Sequence, residues 1–299
     1  MTQQSLSLIP GYIAPSSWWQ HVPVAHWLVE TLQPKTVVEL GTHFGVSFFA
    51  FCEAAEKLSP SSTVYAVDTW EGDVHAGNYG ESVYRQVYSH WFKFHRRIGA
   101  LIRSTFDEAC SYFPDTSVDL LHIDGLHTYE AVKHDFECWL PKMRKGSVVL
   151  FHDINVRERD FGVWLLWDQL CKDGQFCGYT INSGYGLGVL YLNQQEPKWA
   201  SEFKDLLPLL TAKGELLESI AELTPGGSFA HAGNGTILHE VQEKAAAATR
   251  EAEAARLAEN LALAEAQSAK YELQRMMNSK SWRLTKPLRV VSRILKTRR

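Results

Sequence analysis

The sequence predicts an α/β protein with a mostly parallel sheet, because short apolar or β-branched runs alternate with helical stretches as far as about Leu192. The chain has 299 residues, of which 45% are hydrophobic and 12% aromatic, enough to bury a sizeable core. Seven runs have strand character: 36–40, 63–67, 100–103, 118–123, 147–151, 176–181 and 188–192. Five stretches between them favour helices: 46–58, 82–97, 106–113, 129–140 and 161–172.

The end of the α/β region is predicted from its connections. The last two strands are joined by a glycine-containing loop too short for a crossover helix, so we expect them to pair antiparallel. A helical stretch over 199–223 follows. We therefore place one α/β domain at residues 1–224, and a Gly-, Ser- and Asn-rich linker at 225–236.

Residues 237–278 favour one long helix, because Ala, Glu, Leu, Gln, Lys and Arg dominate and Gly is absent. Apolar residues at three- and four-residue spacing fit a coiled-coil seam, broken at Glu259, which would make the chain a homo-oligomer. The alternative is a single solvated helix, because alanine is frequent enough to produce such spacing by accident.

Residues 279–299 form a basic tail. From Lys280 onward there are eight Lys or Arg and no acid, which leaves 22 basic and 34 acidic residues in the rest of the chain. The tail mixes these charges with apolar residues, a pattern that suits a peripheral contact with an anionic membrane surface. A solvated tail is the alternative, and nucleic acid is disfavoured because the body is acidic and carries no readout motif.

The composition also bears on the compartment. The five cysteines form no CxxC pair and lie in apolar or helical stretches, as in a reducing environment. No signal-like N-terminus and no apolar run of membrane-spanning length is present. We expect a cytoplasmic protein.

The first informative motif is V-V-E-L-G-T-H-F-G-V-S, in which an apolar strand ends at Glu39 and Gly41 and Gly45 bracket a tight turn. These glycines allow a ligand to approach the backbone closely. A second strand then ends at Asp68, where an acid suits ribose hydroxyls. Together the two motifs predict a Rossmann-like sheet that binds a nucleotide-type cofactor.

The glycine spacing decides between cofactors. A dinucleotide fingerprint requires GxGxxG, but here His43 takes the third position and Phe44 follows it, so a pyrophosphate fits poorly. Glu39 places an anion where S-adenosylmethionine carries its ammonium and sulfonium charges. We therefore favour S-adenosylmethionine over a nicotinamide cofactor, which stays the rival within enzymes.

Acidic and histidine residues follow the next two strands. Asp124 ends one strand, His127 lies at the start of the following helix, and His152 and Asp153 end the next strand. Because ligands of open parallel sheets bind beyond the carboxyl ends of strands, these residues should converge near the transferred methyl group. His127 or His152 would be the base for methyl transfer to a hydroxyl, with Asp124 assisting. The alternative is that they cap helices or satisfy loop backbone.

The two aspartates also form a candidate metal site. Asp124 and Asp153 offer oxygen ligands suited to a hard divalent cation such as Mg²⁺. A metal in that place would acidify the acceptor hydroxyl.

Several motifs resemble a known family: W-W-Q-H-V-P-V-A, V-E-L-G-T-H-F-G-V-S, A-V-D-T-W-E-G-D, L-L-H-I-D-G-L-H-T-Y-E and V-V-L-F-H-D-I. The stretch from Ser17 to Leu192 resembles class I methyltransferases of glycan and natural-product tailoring, which are often associated with glycosyltransferases. The resemblance implies a seven-stranded sheet with an antiparallel last strand. It also implies O-methylation, with metal ligands matching Asp124 and Asp153, although Ile154 stands where relatives often have a further acid or Asn.

The resemblance implies cofactor contacts at Glu39, Gly41, Thr42, Gly45, Asp68 and Thr69. The remaining candidate cofactor contacts are Ser47, Trp70, Ser104 and Asp124. The polar, glycine-rich segment 71–80 is predicted to be a loop over the active site. The expected acceptor is a sugar of a surface polysaccharide or its lipid-linked precursor, and the alternative from another class is a non-catalytic scaffold that recruits glycan enzymes.

Overall fold

A seven-stranded sheet forms the centre of the computed structural model, which describes residues 4–223. The strands of this sheet have the order β5-β2-β1-β6-β7-β9-β8. Their bounds are β1 Thr36–Leu40, β2 Thr63–Asp68, β5 Gly99–Arg103, β6 Val118–Ile123, β7 Met143–His152, β8 Cys177–Ile181 and β9 Leu187–Tyr191. β9 runs antiparallel to both β7 and β8, while the other pairings are parallel. The predicted fold class and the antiparallel end of the sheet are confirmed.

Helices cover both faces of the sheet. Their bounds are α1 Val22–Leu32, α2 Val46–Leu58, α3 Glu81–His90, α4 Phe106–Cys110, α5 Tyr129–Trp139, α6 Val163–Lys172 and α7 Ala200–Leu223. One apolar core joins α1, α2 and α7 to one face of the sheet, and a second joins α4, α5 and α6 to the other face. Neighbouring strand residues such as Val37 and Val38 belong to opposite cores, as the alternation of side chains along a strand requires.

Three helical features differ from the prediction. The helix predicted over 82–97 ends as α3 at His90 and continues as a π-helical turn, Trp91–His95. The helix predicted over 106–113 ends at Cys110. Helix α1 was not predicted, because its residues from Val22 to Val29 are all buried and so show no amphipathic stripe.

Helix α7 fixes the N-terminal segment against the domain. A Cβ on Gly214 would lie 2.1 Å from the carbonyl oxygen of Gln20, so only glycine permits this approach. The ammonium of the buried Lys213 donates to three backbone carbonyls, of Ser5, Leu6 and Leu8. The predicted helix over 199–223 is therefore part of the domain, and it holds the segment that precedes α1.

The remaining predictions on chain organisation concern residues 225–299. The linker, the long helix with its coiled-coil seam, and the basic tail all lie outside the described residues. Within residues 4–223, no helix combines the length and the apolar character needed to cross a membrane.

Candidate active site

The cavity lies where the strand order reverses. From β1 the chain adds β2 and β5 on one side, then returns to place β6 on the other side of β1. Loops that follow adjacent strands on opposite sides of such a point leave a crevice at the carboxyl ends of the strands. A cavity of about 710 Å³ occupies this crevice, within the range of roughly 300–1,000 Å³ usual for small-molecule sites.

The glycine turn after β1 forms one wall. Gly41 has a φ of +89°, and a Cβ there would lie 2.0 Å from the backbone oxygen of Asp124. Gly45 has a φ of +83° and begins α2, where a Cβ would lie 2.9 Å from the ring of Phe49. Both glycines are therefore required by backbone geometry, and the predicted candidates Thr42 and Ser47 also line the cavity.

Asp68 holds this turn in place. Its Oδ2 accepts hydrogen bonds from the backbone amides of Thr42 and His43 at 2.8 and 2.9 Å, and its Oδ1 accepts one from the amide of Trp70 at 2.7 Å. A carboxylate offers about four acceptor positions, so Oδ1 keeps capacity for a ligand hydroxyl. Asp68, the predicted ribose contact, and Thr69, a predicted cofactor contact, both line the cavity.

Three predicted cofactor residues lie outside the cavity wall. The side chain of Trp70 is fully buried and donates to the carbonyl of His43. Ser104 donates to Glu108, and the next residue, Thr105, takes its place in the wall. Glu39 is fully buried, with Oε1 3.1 Å from His122 Nδ1 and with Oε2 lacking a partner among the described residues.

The acids and histidines predicted after β6 and β7 do converge. His127 Nε2 lies 2.9 Å from Asp153 Oδ2 and 3.3 Å from Asp124 Oδ1, so it bridges the two carboxylates. His152 Nδ1 lies 3.2 Å from the same Asp124 oxygen and 3.3 Å from Asp153 Oδ1. Asp124, His127 and Asp153 line the cavity, whereas His152 is buried behind it.

These contacts set the protonation of the group. Burial disfavours a charged ring, but hydrogen bonds to Asp124 and Asp153 raise the pKa of His127 to about 10. Burial also opposes ionisation of Asp124, yet His152 and His127 hold the pKa of Asp124 well below its usual range. These pKa directions make His127 an imidazolium and Asp124 a carboxylate.

The same residues include a candidate cation site. Asp124, His152 and Asp153 each offer one ligand atom, and these atoms lie within 4.8 Å of one another. The structure thus adds His152 to the two predicted metal ligands. Asn155, the next polar residue after Ile154, instead donates to the carbonyl of Asn182, and Ile154 itself is buried.

The predicted loop over the site contains a short hairpin, β3 Gly72–Asp73 and β4 Gly77–Asn78. His75 at its tip lines the cavity, and its side chain is 3% exposed. Its Nε2 lies 2.6 Å from Asp160, and its ring packs on Phe161 at 4.4 Å. The ring of Phe161 also stacks on that of His127, at 4.8 Å and nearly parallel, so the hairpin is connected to the acid and histidine group.

Sequence reasoning missed several parts of the wall, of which two are the largest. The first is the N-terminal segment from Pro15 to Trp18, for which the tryptophan doublet at 18 and 19 was a signal. The second is the loop after β7, which contributes Arg159 and Phe161. Asp153 and Arg159 have positive φ although neither is glycine, and such strained residues tend to cluster at functional sites.

The fold and the site combine a parallel sheet with an antiparallel final strand, a glycine turn after β1 and an acid after β2. A family model described as a methyltransferase domain matches residues 38–154, from within β1 to just beyond β7. This part of the chain is therefore similar to a methyltransferase domain.

The chain is also similar to a protein of Sinorhizobium fredii named "Uncharacterized protein y4gI". The two are 46% identical over 187 residues, which make up 62% of this chain and 20% of that protein. The chain thus spans about a fifth of the length of this relative.

Solved structures with a similar arrangement include two bacterial O-methyltransferases. TomG of Streptomyces achromogenes, involved in tomaymycin synthesis and crystallised with S-adenosylmethionine, has 14% identity and a TM-score of 0.46, covering 64% of this chain and 99% of its own. An O-methyltransferase of Bacillus cereus, in complex with S-adenosylhomocysteine, has 14% identity and a TM-score of 0.45. The similarity covers 64% of this chain and 87% of that protein. Similarity at this level carries no information about the substrate.

Proposed function

We propose that this chain transfers the methyl group of S-adenosylmethionine to a hydroxyl oxygen. The observation that carries the proposal is a single cavity that joins the glycine turn after β1 to the paired Asp124, His127 and Asp153. One end of the cavity has the features of a nucleoside site, and the other carries groups that can take up a proton.

The described residues fit the cofactor. Glu39 Oε2 and Thr42 Oγ1 are buried polar atoms without a partner among the described residues, so they can serve a polar ligand. The turn from Gly41 to Gly45 would hold the amino acid end, and Asp68 would accept from the ribose hydroxyls. The cofactor supplies an electrophilic methyl group on a sulfonium, and the protein must orient the acceptor and remove its proton.

The acid and histidine group would remove the proton of the acceptor hydroxyl. His127 lines the cavity, whereas His152 is 1% exposed and has no access to an acceptor, so we assign the base to His127 Nε2. That atom lies within hydrogen-bond distance of two carboxylates, those of Asp124 and Asp153. A cation held by these carboxylates would compete with His127 for them, lower the pKa of His127 and leave Nε2 able to accept the proton.

Two carboxylates and one imidazole would hold this cation. Such a donor set suits Mn²⁺ or Zn²⁺ better than Mg²⁺, which prefers oxygen ligands alone. A divalent ion there would polarise the acceptor hydroxyl and lower its pKa.

A neutral sugar is the acceptor class that we propose. Five carboxylates line the cavity, those of Asp68, Asp73, Asp124, Asp153 and Glu158. Among the described residues of the wall, Arg159 is the single Arg or Lys. This balance disfavours an anionic acceptor group inside the cavity. Tyr79 and the half-exposed Tyr185 add aromatic surface to the wall.

The acceptor sugar would belong to a surface polysaccharide or its lipid-linked precursor. Glycosyltransferase partners, a peripheral membrane contact through residues 279–299 and oligomerisation through residues 237–278 belong to the same proposal. A cytoplasmic enzyme on the inner face of the membrane would meet such a precursor.

The proposal is tested in two stages on the full chain. Calorimetry with S-adenosylhomocysteine and with NAD should show binding of the first alone. Incubation with methyl-labelled S-adenosylmethionine, a panel of sugar and phenolic acceptors, and Mn²⁺, Mg²⁺ or EDTA should then label a sugar hydroxyl in a cation-dependent way. Binding of NAD alone would indicate an oxidoreductase, and failure to bind S-adenosylhomocysteine at millimolar concentration would indicate a non-catalytic scaffold.

A further inference from the structure

Three buried side chains form a chain of hydrogen bonds that begins at Trp18, in the wall of the cavity. Trp18 Nε1 lies 3.0 Å from His122 Nε2, and His122 Nδ1 lies 3.1 Å from Glu39 Oε1. None of the three residues is more than 1% exposed. Trp18 comes from the segment held by α7, whereas Glu39 and His122 are register partners on the adjacent strands β1 and β6.

The direction of these hydrogen bonds follows from the donor inventory. An indole N–H can only donate, so His122 Nε2 must be an unprotonated acceptor. The proton of the neutral ring then resides on Nδ1 and is donated to Glu39 Oε1. Trp18 therefore selects the tautomer of His122, and His122 fixes one oxygen of Glu39.

The second oxygen of Glu39 has no such partner. Oε2 is fully buried and makes no hydrogen bond within residues 4–223. A buried carboxylate oxygen without a donor is costly, and a cationic ligand group would offset that cost. Glu39 lies two residues before Gly41, which lines the cavity.

We infer that Trp18 and His122 are positioning residues that hold the buried carboxylate of Glu39 just before the glycine turn, where its charge attracts the ammonium group of the cofactor's amino acid end. This inference rests on the proposed function and deepens it. His122 acts through Glu39, so its substitution should affect ligands that carry the ammonium and leave the adenosine end unaffected. Trp18 also lines the cavity, so its indole donor is tested by a change that keeps an aromatic ring in the wall. Phe51 packs within 6.0 Å of both rings and keeps the arrangement rigid.

The test compares two ligands that differ in this group. S-adenosylhomocysteine carries the amino acid end, whereas 5′-methylthioadenosine lacks it. Calorimetry on the full chain should show that His122→Leu weakens the binding of S-adenosylhomocysteine about tenfold or more, which is the loss expected for a charged hydrogen bond. The affinity for 5′-methylthioadenosine should stay within about twofold of the unchanged chain, because its contacts are untouched.

Two further variants separate positioning from packing. His122→Asn keeps an N–H donor for Glu39 and should restore most of the S-adenosylhomocysteine affinity. Trp18→Phe keeps an aromatic ring but loses the indole donor. It should reduce the affinity for S-adenosylhomocysteine less than His122→Leu does, again without a loss for 5′-methylthioadenosine. This variant serves as the test if His122→Leu fails to fold. Glu39→Gln should reproduce the selectivity of His122→Leu.

An equal loss for both ligands, or no loss for either, would overturn the inference and leave the proposed function standing. If the unchanged chain binds neither ligand, the proposed function fails and this inference fails with it. A selective loss that is rescued by His122→Asn supports both.

Discussion

The two ends of the cavity are built from different chemistry. At the cofactor end, backbone geometry dominates: Gly41 and Gly45 have positive φ, and Asp68 is satisfied mainly by backbone amides. At the acceptor end, ionisable side chains pair with one another, as His127 does with Asp124 and Asp153. We therefore expect the first end to be specific in shape, and the second to change its protonation when a cation or an acceptor binds.

The largest effect is expected at the acceptor end. Asp124→Asn removes the charge that both His127 and His152 contact, and turnover should fall about a thousandfold, as for loss of acid–base machinery. Binding of S-adenosylhomocysteine should change far less, because the glycine turn is intact. Kinetics with methyl-labelled S-adenosylmethionine and the sugar acceptor measure turnover, and calorimetry measures the binding of S-adenosylhomocysteine.

The control for this change is Asn155→Ala. The Asn155 amide donates to the carbonyl of Asn182, so turnover should stay within about threefold. If both variants lost activity equally, the distinction between reacting and supporting residues at this end would be wrong.

The next effect concerns the backbone at the cofactor end. Gly41→Ala would force a Cβ against Asp124 and should lower the free energy of unfolding by about 3 kcal/mol. Gly77→Ala is a matched control, because Gly77 also has a positive φ, +81°, but has nothing within 4 Å of the added carbon. Gly77→Ala should lower the free energy of unfolding by only about 1 kcal/mol. Equal losses in chemical denaturation would contradict the close approach at Gly41.

A third prediction contrasts two buried acids. Burial raises the pKa of Glu53 in α2 from 4.5 to about 8, whereas the neighbouring histidines lower that of Asp124. Between pH 4.5 and 8 the folded chain keeps a proton on Glu53 that the unfolded chain has released. This contribution to stability is complete below pH 4.5 and is lost as pH rises, by up to about 1.4 kcal/mol per pH unit.

Glu53→Gln should remove this dependence. The amide oxygen can still accept the hydrogen bond from the Gly11 amide, which is 2.7 Å from Glu53 Oε1. Denaturation at several pH values should give a flatter profile between pH 4.5 and 8 than that of the unchanged chain. A profile of unchanged slope would show that Glu53 ionises normally in the folded state.

The smallest effect is expected at the hairpin that covers the acceptor end. His75→Ala removes the contacts with Asp160 and Phe161, and should raise KM for the acceptor about fivefold with kcat nearly unchanged. Asp160→Asn should act in the same direction but more weakly, because Asp160 is 65% exposed and such pairs contribute little. A fall in kcat at constant KM would instead place His75 in the chemistry.

Much of the fold follows from local sequence pattern. The strands 36–40 and 118–123 were predicted with the bounds that the structure shows, because apolar runs that end in turn residues or acids are unambiguous. Helix α1 and the hairpin at 72–78 were missed, since the first is apolar on all sides and the second is too short to show a period.

The candidate site was predicted in part. Asp124, His127 and Asp153 could be placed together because the carboxyl ends of parallel strands share one edge of the sheet. The burial of His152 behind the cavity could not be predicted, because it depends on how the segment around His21 packs against β7: the two rings are 5.3 Å apart.

By itself, the sequence determined the parallel sheet, the glycine turn and the strand ends at which polar residues gather, because each depends on neighbours within a few positions. The tertiary structure decided which of those residues meet. Trp18 and His122 are 104 positions apart, and Gly41 contacts Asp124 only because β6 is inserted beside β1. Contacts of this range depend on strand order and on the anchoring of the N-terminal segment by α7, which no local pattern records.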